Sequence, residues 1–205
     1  MHDIGLVAAG FGLGVALGVL PGPVQMLLLT ESLRGGTGRG FAAMLGANGT
    51  FGLLIFALAA GLSFHPPGGP ALRAIEGAGG AFLLWLAWDA MRSTARIESA
   101  GAAHRGPAPA VRGVLAVLLN PAVWIFLATT ASAVVLDAAR TGGRPLALVI
   151  AAAMIVGLMA MDGTMVLLGG GGRRLGARIA RMATPVFAVG LGIFGVLLLV
   201  RALTP

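Results

Sequence analysis

The residue whose type and position most clearly suggest a chemical role is Asp162, an acid inside the long apolar segment IVGLMAMDGTMVLL. A carboxylate in a hydrocarbon environment is costly, and such residues usually face a cavity or a partner. We expect Asp162 to titrate and carry a coupling proton, or to pair with the ammonium group of a substrate. The structural alternative is an acid nearer the membrane surface, or a neutral one bonded to a neighbouring helix.

Two proline motifs form the second candidate feature, Pro21-Gly22-Pro23 and Asn120-Pro121. Proline lacks an N–H donor and clashes with the carbonyl four residues earlier, so each motif should interrupt a helix. The backbone carbonyls freed in this way would be those of Leu17, Val19 and Val117. Freed carbonyls in lipid cost several kcal/mol unless protein, water or ligand satisfies them. The breaks are therefore expected to line a polar cavity, although a proline is also compatible with a packing kink.

Neutral polar residues near these motifs could bind a zwitterion, because they offer both donors and acceptors: Gln25, Asn48, Thr50 and Asn120. Such residues also join membrane helices by hydrogen bonds, and for each residue taken alone this structural role is favoured. Trp124 lies one turn after Asn-Pro and either lines the pathway or packs. Glycines recur every four residues from Gly10 to Gly22, which indicates a close-packing helix face.

The composition predicts that lipid surrounds most of the chain. Of 205 residues, 58% are apolar and 10% are charged, which a soluble domain of this size could not sustain. All fourteen basic residues are Arg, and the absence of Lys excludes a phosphate-binding P-loop. There is no Cys, which excludes disulfide and thiol chemistry. The net charge of +7 is interpreted as arginines facing lipid headgroups, not nucleic acid. We expect no catalytic residues, metal site or cofactor.

Apolar runs divide the chain into six predicted transmembrane helices in one all-α domain: 4–32, 40–64, 70–91, 112–136, 145–169 and 182–203. The polar stretch 96–111 is the predicted cytoplasmic linker between a first three-helix repeat, 1–95, and a second, 112–205. Helices 1 and 4 carry the two interruptions.

The arginine distribution predicts the orientation in the cytoplasmic (inner) membrane. Ten of the fourteen arginines lie in or beside the odd-numbered loops, which places those loops in the cytoplasm and both termini outside. Three helices per half is an odd number, so a repeat must be inverted. Residues 19–28 and 117–126 align Pro23 with Pro121 and Gly22 with Asn120. Inverted repeats with paired interruptions are typical of secondary transporters.

Counting from the predicted cytoplasmic helix ends gives the depth of each polar position. Gly22, Asn48, Asn120 and Asp162 all come to about 12 to 15 Å, near the centre of a ~30 Å core. The sequence therefore predicts that four helices bring a polar or broken position to one level.

These motifs resemble the amino-acid exporter family that includes the lysine exporter and the homoserine/threonine efflux proteins. The matching stretches are LPGPVQMLLLTESLRGG, GFAAMLGANGTFGLLIFALAAGL, GGAFLLWLAWDAMRS and VRGVLAVLLNPAVWIFL, within residues 20–127. The resemblance implies a proton-driven secondary exporter of amino acids or related metabolites, assembled as a homodimer. Its motif residues would be Pro21, Gly22, Pro23, Asn120 and Pro121.

One departure from the family concerns the second helix. Many members have Gly-Asp where this chain has Thr50-Phe51. If that acid binds or couples the substrate elsewhere in the family, this chain must use Asp162 or do without it.

Other functions stay open at this stage. A metal-ion exporter would need clustered His or carboxylates at one depth, and a channel on the same scaffold would need no coupling acid. A membrane enzyme is disfavoured because HExxH, GxSxG and paired acids at one depth are all missing from the sequence.

Overall fold

The computed structural model describes residues 2–20, 22–63, 68–96, 108–174 and 177–204, and every regular element in these ranges is helical. The elements are α1 (His2–Val19), α2 (Pro23–Gly35), α3 (Thr37–Ala59), α4 (Gly69–Arg96), α5 (Pro109–Leu118), α6 (Pro121–Phe126), a π-helical segment (Leu127–Ala131), α7 (Ser132–Arg174) and α8 (Ala177–Leu203). The prediction of an all-α membrane protein is confirmed.

Within the described residues, three helical stretches are long and apolar enough to cross a membrane: Thr37–Ala59, Pro121–Gly172 and Thr184–Leu203. A fourth is added if α1 and α2, which meet at an angle of 64°, form one bent span. Pro121–Gly172 has 52 residues, about twice what one crossing needs. It is divided at Gly142 and Gly143, where Gly143 has φ +70°, a backbone conformation that favours glycine.

The predicted boundaries agree in part with these elements. The first apolar run, 4–32, corresponds to α1 plus α2, and the break at Gly142-Gly143 falls between the fourth and fifth runs. α5 begins at Pro109, inside the predicted linker, because proline suits the first position of a helix. Residues 97–107 of that linker lie outside the described residues.

Helices from the two halves of the chain pack against each other. α1 lies along α7, and α4 lies along α8. Small residues permit these close approaches: a Cβ atom on Gly14 would overlap the Met154 carbonyl, and one on Gly80 would lie 2.8 Å from the Gly195 carbonyl oxygen. The glycine face that the sequence indicates on α1 is therefore a packing surface against α7.

Candidate functional site

A cavity of about 270 Å³ lies where the two helix breaks meet. At ~30 Å³ per water molecule, this is the space of roughly nine waters, enough for a small solute. Residues from α1, α2, α3, α5, α6, α7 and α8 line it. Its polar side chains are Gln25, Asn48, Asn120 and Asp162, and its aromatic ones are Phe51, Phe126 and Phe194.

The two proline motifs form matching helix starts at this cavity. Gly22 is the N-cap of α2 and Pro23 its first residue, as Asn120 and Pro121 are for α6. The Asn120 side chain accepts a hydrogen bond from the Ala122 N–H at 3.1 Å, whereas no side chain caps α2. The interruptions are observed where the sequence predicts them, but Pro23 and Pro121 begin new helices instead of kinking helix interiors.

Side chains satisfy backbone carbonyls at both breaks. Gln25 Nε2 donates to the Leu17 carbonyl at 3.4 Å, and Trp124 Nε1 donates to the Leu118 carbonyl at 2.8 Å. The Leu17 carbonyl is one of those that the prolines were expected to free. Trp124 thus joins the two sides of its break, and it does not belong to the cavity lining.

Asp162 is fully buried and only partly hydrogen-bonded. Its Oδ1 accepts from Gln25 Nε2 at 3.4 Å, and the Asn48 amide lies beside the carboxylate. Asp162 Oδ2 and Asn48 Nδ2 have no hydrogen bond of ordinary geometry with the described part of the chain. Buried polar atoms without partners are rare and destabilising. The two groups therefore face each other without a well-formed hydrogen bond, and the Asp162 carboxylate keeps the capacity to accept from a molecule in the cavity.

The structure brings together six of the ten residues that the sequence analysis selects: Gly22, Pro23, Gln25, Asn48, Asn120 and Asp162. Pro121 is buried outside the lining. Thr50 donates to the Gly46 carbonyl of its own helix at 2.8 Å and also lies outside it. Pro21 falls outside the described residues.

A second buried polar group, which the sequence analysis missed, consists of Glu31, Arg34, Arg39, Asp89 and Arg112. We call it the arginine–carboxylate network. Arg112 Nη1 lies 3.0 Å from Glu31 Oε1 and 2.7 Å from Asp89 Oδ2. Arg34 Nη1 lies 2.9 Å from Asp89 Oδ2, and Arg39 pairs with Glu31 Oε2. The network joins α2, α3, α4 and α5.

The centre of this network is withdrawn from solvent. The exposed fraction of the side chain is 0% for Glu31 and 1% for Arg112, and the Arg112 guanidinium lies 5.0 Å from the Trp85 ring centroid. The sequence analysis interpreted its three arginines, Arg34, Arg39 and Arg112, as residues that face lipid headgroups. That interpretation was wrong about their contacts, because each of them forms an ion pair with a carboxylate inside the protein. A usable signal was Glu31 three residues before Arg34, a spacing that favours an ion pair on one helix face.

The family model described as LysE type translocator matches residues 15–202. No curated protein and no solved structure matches the chain.

Proposed function

We propose a transport function for this chain that starts from its family: the chain belongs to the LysE type translocator family, whose members move small solutes. The chain exports amino acids or related small metabolites across the cytoplasmic membrane, coupled to protons. The observation that carries this proposal is the buried Asp162 carboxylate, which lies in the cavity at the helix breaks with neutral amides beside it and no cationic side chain among the described lining residues.

The chemistry of the cavity suits a solute with an ammonium group. Asp162 is the one charged side chain among the described lining residues, so a cation that binds there neutralises a buried charge. The uncapped N-terminus of α2 and the Asn48 amide would receive the carboxylate of the same solute. The aromatic side chains of the lining would contact the uncharged, apolar part of the same solute.

The transport cycle that we propose is alternating access on six spans. The spans are α1 with α2, α3, α4, α5 through the first part of α7, the rest of α7 after Gly143, and α8. Both termini are outside. The halves rock about the breaks at Gly22 and Asn120, and Asp162 exchanges the substrate ammonium for a proton between the two sides.

Reconstitution in proteoliposomes tests this function. Vesicles loaded with single labelled amino acids should release the substrate when a pH gradient is imposed and retain it when a protonophore collapses the gradient. A panel of amino acids and analogues identifies the substrate, and cells that carry the protein should resist and release the same compounds.

The same assay separates exporter from channel. Movement that needs no proton gradient and survives Asp162→Asn would establish a passive channel and overturn the proposed coupling. Absence of movement for every amino acid in the panel would overturn the proposed substrate class.

A further inference from the structure

We propose that the arginine–carboxylate network is the cytoplasmic gate of the transport pathway, with Glu31 and Arg112 as its central residues. The proposal rests on the proposed function for the direction of transport and on the predicted orientation for the side of the membrane. Its evidence is separate, because it comes from the position, burial and connections of the network.

The network lies at one level, to one side of the cavity. Three helices give the same separation, which is eight or nine residues, or about 12 to 14 Å of helix. The pairs are Arg112 and Asn120, Glu31 and Gly22, and Arg39 and Asn48. In the predicted orientation, all three lead from the cavity toward the cytoplasm.

The protein is closed on the network side of the cavity. Leu28, Glu31 and Ser32 of α2 have an exposed fraction of 0%, and Val117 of α5 has 3%. A solute that travels from the cytoplasm to the cavity must therefore pass through the layer that the network holds together.

The network joins the two halves of the chain, which move relative to each other in the proposed transport cycle. Glu31, Arg34 and Asp89 belong to the first half of the chain and Arg112 to the second, so both Arg112 ion pairs cross between the halves. Buried ion pairs balance a large desolvation penalty against a large attraction. When water enters, the same charges are stabilised by hydration. Such a layer has two favourable arrangements, paired when closed and hydrated when open, as a gate requires.

Thiol labelling can test the gate, because the chain contains no Cys and a single introduced thiol has no background. Both positions line the cavity: Val117→Cys reports on its buried wall, five residues after Arg112 on α5, and Ala122→Cys reports on the lining beyond the second break. A charged, membrane-impermeant maleimide is applied to inside-out or right-side-out membrane vesicles. Neither measurement requires the transported substrate.

Breaking the network should change the two labelling rates in opposite directions. With Glu31→Gln, labelling at position 117 from the cytoplasmic face should rise by about 10-fold or more, and labelling at position 122 from outside should fall. Arg39→Gln removes one partly exposed pair and should shift both rates the same way by less, which keeps the test valid if Glu31→Gln does not fold. Glu76→Gln, a buried glutamate of α4 outside the network, should shift neither.

A reciprocal shift supports a gate, because loosening of a purely structural cluster would raise labelling at both positions. Unchanged rates, or an increase at both, would overturn the proposal while leaving the proteoliposome assay as an independent test of transport. Labelling at position 117 that rises only from the outer face would also overturn it.

Discussion

The cavity and the arginine–carboxylate network lie only about 14 Å apart along the helices, yet they bury charge in opposite ways. In the network, every one of five charged side chains makes at least one ion pair. In the cavity, Asp162 has one weak contact on Oδ1 and none of ordinary geometry on Oδ2. Buried charges destabilise a protein unless they are compensated. The network supplies its own compensation and can hold helices together, whereas Asp162 has only the neutral amides of Gln25 and Asn48 beside it, which leaves its charge for a bound cation or proton to neutralise.

The largest expected effect concerns the cavity. Asp162→Asn keeps the shape of the side chain and removes its charge, so a bound ammonium group loses its partner. Loss of one partner of a buried charge pair costs about 2 to 5 kcal/mol, which corresponds to roughly 30-fold to several thousand-fold in efflux rate. Efflux from proteoliposomes measures this loss.

The matched control for that variant is Asp137→Asn, which is exposed and lies in the part of α7 before the Gly142-Gly143 break. It should transport at the parental rate. Equal rates for both variants would show that Asp162 is a structural acid, and the contrast between the two regions would lose its functional meaning.

The network should show its effect in stability. Arg112→Gln removes the central cation, so Glu31 keeps only Arg39 and the more distant Arg34. Loss of one partner of a buried ion pair costs up to about 3 to 5 kcal/mol, and the remaining arginines reduce that cost. Thermal unfolding in detergent should order the variants with Arg112→Gln lowest, Arg39→Gln intermediate and the exposed Arg140→Gln close to the parent. An Arg112→Gln protein as stable as Arg140→Gln would mean that the ion pairs do not hold the helices.

A smaller effect concerns the packing of α1 against α7, the helix that carries Asp162. Gly14→Ala would push a methyl group into the Met154 backbone, and overpacking typically costs about 1 to 3 kcal/mol. Gly12→Ala, on the same helix with open space around it, should be neutral or stabilising by about 0.5 to 1 kcal/mol. The difference between their unfolding temperatures checks the α1–α7 contact, and equal temperatures would contradict it.

The smallest expected effect lies at the second break. Trp124→Phe keeps an aromatic ring but removes the hydrogen bond to the Leu118 carbonyl, which is worth about 1 kcal/mol. The unfolding temperature should fall slightly, while Trp88→Phe at an exposed position should leave it unchanged. If both variants behave alike, the indole is not what satisfies the carbonyl.

Patterns along the chain predicted much of the cavity. Proline and glycine act on the local backbone, so the breaks at Gly22 and Asn120 could be located from sequence alone. An acid in an apolar run is equally conspicuous, and counting residues along straight helices placed Asn48 and Asp162 near the breaks. Thr50 was less predictable, because two residues after Asn48 a helix has turned by more than half a circle and faces elsewhere.

The network was missed because it depends on contacts distant in sequence. Arg112 pairs with Glu31 and Asp89, which lie 81 and 23 residues away. An arginine near a predicted helix end looks the same whether it faces headgroups or turns inward toward a carboxylate. Only the packing of four helices decides between these arrangements, and no periodicity in the sequence records that packing.

The double contact of Gln25 has a mechanical consequence. One amide group touches both the Leu17 carbonyl, on one side of the first break, and the Asp162 carboxylate. A ligand or proton that changes how strongly Asp162 attracts this amide also changes how firmly α1 is tethered to α2. Binding of a ligand or proton at Asp162 and the angle between α1 and α2 are therefore coupled, and each changes the equilibrium of the other by the same free energy.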